Sequence, residues 1–172
     1  MIKIWETLIT DVDGVLTTGR YLYNSSGKQY KEFGPHDADA IKFLRFFGVK
    51  VVAISADSRG FEITKKRLSD MGVELHLVKE NNRKKWIETN ISSDSFGFVG
   101  DGYFDIPAHK LAKYSYAPRN SLEVVKKNSD IVLDCNGGDG VLWSVFEHFL
   151  ENSSHELFLK LKKGELNYEG NN

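Results

Sequence analysis

Two acidic stretches and one hydroxyl carry the chemistry of this chain. Asp11-Val12-Asp13-Gly14 follows an apolar run at 7–10, and Gly100-Asp101-Gly102-Tyr103-Phe104-Asp105 follows another at 96–99. A third run, 49–54, ends in Ser55-Ala56-Asp57. Carboxylates gathered at one edge repel unless a cation sits among them. Mg²⁺ suits such a place, because it takes oxygen ligands at about 2.0–2.1 Å and accepts a few carboxylates plus a phosphate. Asp11 and Asp101 are the candidate side-chain ligands, with Asp13 able to ligate through its backbone carbonyl. The spacing of Asp11 and Asp13 also suits covalent phosphoryl transfer, the first as nucleophile and the second as acid and then base. Gly14 lets the chain turn tightly beneath a phosphate.

A phosphoryl group under attack spreads charge over its equatorial oxygens, so donors must surround it. Ser55 offers a hydroxyl and Ala56 a backbone N–H. A lysine is expected from the segment after the run at 73–78, with Lys85 the first choice and Lys84 the next. The plainer account makes loop aspartates turn-formers and these lysines solvated helix charge. Two acidic loops, each directly after an apolar strand, weigh against that account for the aspartates.

The elements that must hold these groups alternate. Strand-like runs at 7–10, 49–54, 73–78, 96–99 and 131–133 are separated by helical spacing at 37–47, 59–71 and 141–150. Gly48 and Gly72 stop the first two helices. Strand–helix repetition of this kind predicts an α/β fold with a central parallel sheet and helices on both faces. In such a sheet the ligand lies beyond the carboxyl ends of the strands, where the acids fall. Residues 20–24 and 28–33 alternate around Asn24-Ser25-Ser26-Gly27 and predict a β-hairpin at 20–33. One domain is expected over 1–152, followed by a C-terminal helix and tail over 153–172, frayed at 167–172.

The 172 residues carry 23 basic and 24 acidic side chains, a net charge of −1, which gives no general attraction to nucleic acid or to an anionic membrane. Cys135 is the single cysteine, which excludes an internal disulfide. No apolar run reaches the ~20 residues that span a bilayer, and Glu6, Asp11 and Asp13 interrupt any early secretory core. A cytoplasmic protein is expected, with neither nucleic acid nor membrane as partner. The five histidines lack metal-ligand spacing. Tyr21 and Tyr23 share a hairpin face suited to a contact between subunits.

Asp11-Val12-Asp13-Gly14-Val15-Leu16-Thr17, Ser55, the loop lysine and Gly100-Asp101 with Asp105 resemble the four motifs of the haloacid dehalogenase superfamily. The hairpin, the segment FGPHDADAIKFL at 33–44 and Gly137-Gly138-Asp139-Gly140-Val141 narrow the resemblance to its capless 3-deoxy-octulosonate 8-phosphate phosphatase group. That group also contains nonulosonate 9-phosphate phosphatases and the phosphatase-like domain of some acylneuraminate cytidylyltransferases. The resemblance implies a three-layer Rossmann-like fold with a β-hairpin flap and no cap domain. It implies Asp11 as nucleophile, Asp13 as acid/base, Ser55 and Lys85 or Lys84 on the phosphoryl group, and Mg²⁺ at Asp11, Asp13 and Asp101. Asp105 would order the metal shell or the lysine. A homotetramer built through the hairpins is implied, as is hydrolysis of an eight- or nine-carbon sugar acid phosphate of the kind used in lipopolysaccharide or sialic acid synthesis. A cytidylyltransferase is a conceivable partner.

The chain departs from the group at Asp57, where arginine or glutamate is usual, at Gly102, where a second acid is usual, and at Asp139, where arginine is common. Asp57 and Asp139 are expected to remove positive charge from the rim. The rival reading is a catalytically weak or inactive oligomerisation domain, and the retained Asp11 and Asp13 speak against it. A signalling receiver domain would carry its acceptor aspartate after a middle strand. A nucleotide-binding module would need a glycine-rich loop opening a helix where this chain enters a hairpin.

Overall fold

In the computed structural model, which describes residues 1–91 and 95–167, Thr7–Asp11 forms strand β1, buried along its whole length. β4 (Lys50–Ser55) and β6 (Phe96–Val99) flank it, both parallel to it. With β5 (Glu74–Leu77), β7 (Tyr114–Ala117) and β8 (Ile131–Val132) they make a six-stranded sheet in the order β5-β4-β1-β6-β7-β8. Every adjacent pair is parallel. The order reverses beside β1, and a crevice opens at the carboxyl ends there.

Both faces of the sheet are covered, which is why its inner strands are continuously apolar. Successive residues of β1 point to opposite faces. Leu8 joins a core with Leu44, Leu68, Val145 and Phe149, from α1 (Asp37–Phe46), α2 (Phe61–Asp70) and α6 (Val141–Ser153). Ile9 joins a second core with Ile54, Ile87, Phe98 and Ala108. The helices on that face are α3 (Arg83–Asn90) and α4 (Ile106–His109). A short helix, α5 (Glu123–Lys126), precedes β8, and α7 (His155–Lys162) leans its Leu157, Phe158 and Leu161 on the first core. This is the three-layer fold that the alternation predicts. β7 is an addition to the expected strands. The frayed tail expected at 167–172 lies, apart from Asn167, outside the described residues. No helix among the described residues is long and apolar enough to cross a membrane.

β2 (Thr17–Asn24) and β3 (Gly27–Phe33) form the hairpin as a separate antiparallel sheet. Asn24 Oδ1 accepts the Ser26 N–H at 2.8 Å, closing the turn as an Asx motif. No cap domain is inserted among the described residues.

Asp37 ties two helices together. It begins α1, and its Oδ1 accepts the Leu142 N–H of α6 at 2.8 Å, while its buried Oδ2 has no hydrogen-bond partner among the described residues. Burial pushes the Asp37 carboxyl up to about 7, with the Leu142 hydrogen bond and Arg67 pulling the other way. The folded protein therefore holds a proton that the unfolded chain releases from about pH 4, so this group's ionisation lowers stability as pH rises toward about 7. Asp37→Asn keeps the acceptor and is expected to flatten that slope. Urea unfolding at about pH 5 and about pH 8 measures it, and equal slopes in both proteins would refute the assignment.

Candidate active site

The β1 strand ends at Asp11, paired in register with Ile54, so Ser55 lies one residue further along β4. Beyond Asp11 the chain winds tightly: the N–H groups of Val15, Leu16 and Thr17 all reach the Val12 carbonyl, at 3.3, 2.9 and 3.1 Å. Thr17 Oγ1 accepts the N–H groups of Gly14 and Gly19, each at 3.2 Å, and latches the turn. Gly14 is required twice over. Its φ of 90° disfavours any side chain, and a Cβ there would overlap the Asp101 carboxylate. The β1 and β6 loops are thereby pressed together, acid against acid.

Arg83, the first residue of α3, enters this corner. Its Nη2 donates to Asp11 Oδ1 at 2.8 Å, and its Nη1 donates to Asp105 Oδ1. Asp105 Oδ2 accepts the N–H groups of Asp101 and Gly102, at 3.1 and 2.9 Å, fixing the β6 loop. Carboxylate oxygens of Asp11, Asp101 and Asp105 lie within 4.8 Å of one another. Burial raises the Asp11 pKa, with the Asp13 charge adding to it and Arg83 opposing. Burial and the Asp11 charge push Asp101 up to about 7. The corner is short of positive charge.

The remaining acids are answered from the hairpin. Lys31 Nζ lies 2.8 Å from Asp13 Oδ2 and 2.8 Å from Asp57 Oδ2, and Lys28 Nζ lies 2.5 Å from the same Asp57 oxygen. Burial works against the charge on Asp57, but hydrogen bonds from Lys28 and Lys31 outweigh it and hold the carboxyl at about 2. The charge of Asp57 at the rim is met by two lysines of the hairpin. Six carboxylates (Asp11, Asp13, Asp57, Glu80, Asp101, Asp105) face four cations (Lys28, Lys31, Arg59, Arg83), which leaves the charge of one divalent ion to be supplied. Hard oxygen donors with ionisation held back by burial and, less, by one another's charge fit Mg²⁺. Asp11 and Asp101 have the carboxylates placed for it. Asp105 is committed to Arg83 and two amides, and the Asp13 side chain to Lys31.

A cavity of about 310 Å³ opens over these groups, lined by Asp11, Asp13, Ser55, Ala56 and Arg83, with Tyr21 and Tyr23 of the hairpin above. Ser55 Oγ is buried and accepts the Asp57 N–H at 3.1 Å. The structure thus brings together Asp11, Asp13, Ser55, Ala56, Asp101 and Asp105. It does not bring Lys84 or Lys85. Lys84 is exposed and 3.7 Å from Glu88, and Lys85 lines a separate hollow with Trp86 and Asn90. Arg83 takes the inward place because it shares the buried face of α3 with Ile87, one turn on. At 100° per residue the next two positions rotate outward. The i, i+4 pairing of Arg83 with Ile87 is a signal already present in the sequence. Lys31 has a similar one, since it shares a β3 face with the core-packed Phe33.

The late glycines close the site from behind. Gly138 N–H donates to Val15 O at 2.8 Å, and a Cβ on Gly137 would overlap the Gly14 carbonyl. Gly137 N–H is held by Asn120 Oδ1 at 2.9 Å. Asp139 is exposed.

The family model of the haloacid dehalogenase-like hydrolases matches residues 73–145, the stretch that carries Arg83, Asp101 and Asp105. The chain is similar to octulosonate 8-phosphate phosphatases in sequence and in fold. It is 28% identical over 149 residues to the 3-deoxy-D-manno-octulosonate 8-phosphate phosphatase of Haemophilus influenzae, covering 84% of this chain and 82% of that one. The cobalt-bound structure of a Haemophilus influenzae deoxy-D-mannose-octulosonate 8-phosphate phosphatase superposes with a TM-score of 0.82 at 27% identity, covering 95% of this chain and 98% of that chain. The phosphatase of Moraxella catarrhalis, solved with magnesium, phosphate and the sugar acid, shares the fold at a TM-score of 0.81 and 22% identity, with 94% of each chain covered.

Proposed function

We propose that the protein is a magnesium-dependent phosphatase that hydrolyses the phosphate ester of an eight- or nine-carbon 2-keto-3-deoxy sugar acid. The observation that carries this reading is the pairing of the Asp11 and Asp101 carboxylates with Arg83 beneath a polar cavity that also receives Ser55. Asp11 attacks phosphorus and forms an aspartyl-phosphate as the ester P–O bond breaks. Asp13 gives its proton to the departing sugar oxygen. It then takes a proton from water as that water attacks the aspartyl-phosphate, restoring Asp11 and releasing phosphate. Arg83, the Ser55 hydroxyl and the Ala56 N–H hold the equatorial oxygens, where developing charge is greatest. Magnesium held by Asp11, Asp101 and the Asp13 carbonyl would supply the positive charge that lets two anions meet.

The hairpin roofs the cavity in place of a cap, and its tyrosines reach over the opening. Its outer side keeps Leu22 and Tyr30 66% and 67% exposed, which supports burial against other subunits in a homotetramer. The test is a panel of sugar phosphates presented to purified protein whose mass is fixed by light scattering. Phosphate release from an eight- or nine-carbon acid is expected to exceed that from hexose phosphates by about tenfold or more, from a four-chain particle. It should vanish with EDTA and return with Mg²⁺. Chelator-insensitive release, or no release from any ester, would overturn the reading.

A further inference from the structure

We infer that Lys31, delivered by the hairpin, is a positioning residue that sets the orientation of Asp13 for proton transfer. The inference rests on the phosphatase reading and extends it. The Lys31 side chain is fully buried, at 0% exposure. Its Nζ meets Asp13 Oδ2 at 2.8 Å, Asp57 Oδ2 at 2.8 Å and Thr64 Oγ1 at 2.9 Å. An ammonium has three hydrogens, and here three acceptors from three separate parts of the chain use them all. One acceptor comes from the loop after β1, one from the loop after β4 and one from α2. No rotamer freedom is left to this lysine, and a buried ammonium is tolerated only with partners this complete.

Asp13 has little else to hold it. Among the described residues its remaining side-chain hydrogen bond is a long one, from Thr17 Oγ1 to Oδ1 at 3.5 Å. With Oδ2 pinned by Lys31, Oδ1 is the oxygen left to carry the proton. It delivers that proton to the leaving oxygen as the Asp11–phosphorus bond forms and the ester bond breaks. It recovers a proton from water as the aspartyl-phosphate is cleaved. Small displacements of such a group are costly, because proton transfer needs a heavy-atom approach near 2.6–3.2 Å. Asp57, at a position where its charge alone would repel an anionic substrate, gains a role as the second anchor of this lysine.

Lys31 could instead be only the pin that fastens the hairpin. The two roles separate by leaving group. p-Nitrophenyl phosphate departs without needing a proton, whereas phenyl phosphate depends on the acid. For Lys31→Met, kcat/KM for phenyl phosphate is expected to fall by about 100-fold and that for p-nitrophenyl phosphate by less than about threefold. Lys31→Arg, which keeps charge and donors, should recover much of the lost ratio. Circular dichroism melts establish folding, and Lys31→Gln carries the same comparison where the Met variant does not fold. Equal losses on both esters, or no loss on either, would overturn the positioning role while the phosphatase reading stands. Wild-type protein inert toward both esters with Mg²⁺ would overturn the phosphatase reading and this inference with it.

Discussion

Asp11→Asn is expected to reduce turnover of p-nitrophenyl phosphate by at least about 10³-fold, to the level of the background reaction. The amide matches the carboxylate in shape but cannot form the acyl phosphate. Folding should survive. Burial already opposes ionisation of Asp11, and Arg83 keeps Asp105 when Asp11 loses its charge. The thermal midpoint should therefore move by only a few degrees, while acid-quenched protein no longer shows a phosphoryl adduct by mass. Turnover above about 1% of wild type in a folded Asp11→Asn protein would remove Asp11 from the nucleophile's role.

The second large effect separates Arg83 from its two neighbours. Arg83 bridges Asp11 and Asp105 from a buried position, so Arg83→Met leaves two carboxylates facing each other without their shared cation. Loss of one partner from a buried ion pair costs about 3–5 kcal/mol, and loss of a cation from a phosphoryl site costs about 10²–10³ in kcat/KM. Arg83→Lys guards against failure to fold. It keeps the charge, loses the fork that reaches two acids at once, and should fall between wild type and the Met variant. Lys84→Ala and Lys85→Ala, both on the outer side of α3, should stay within about twofold of wild type. A larger loss from Lys85→Ala than from Arg83→Lys would reverse the assignment of the phosphate-facing cation.

The groups at the strand tips are legible because backbone and chemistry coincide there. An apolar run ending in Asp, in Ser or in Gly-Asp leaves little choice about where the side chain goes, and Asp11, Ser55 and Asp101 all arrive at one edge. Arg83, Lys84 and Lys85 pose a different problem. Three adjacent cations look alike in composition, and helix phase alone decides which points inward. The buried Ile87 sets that phase, a cue weaker than any motif. β7 is hidden for another reason. Tyr114-Ser115-Tyr116-Ala117 has no continuous apolar run, and the buried Ser115 is satisfied by Asp130, which accepts its N–H and its hydroxyl at 2.8 and 2.7 Å. The neutralisation of Asp57 by Lys28 and Lys31 depends on contacts 29 and 26 residues apart in sequence, which no local pattern encodes.

The bond from Gly138 to Val15 joins parts of the chain 123 residues apart, and it buttresses the turn that follows Asp11. The support of the opening turn is therefore encoded far downstream of it: a chain cut before residue 137 would keep Asp11, Asp13, Asp101 and Asp105 yet lose the backbone that packs behind Gly14.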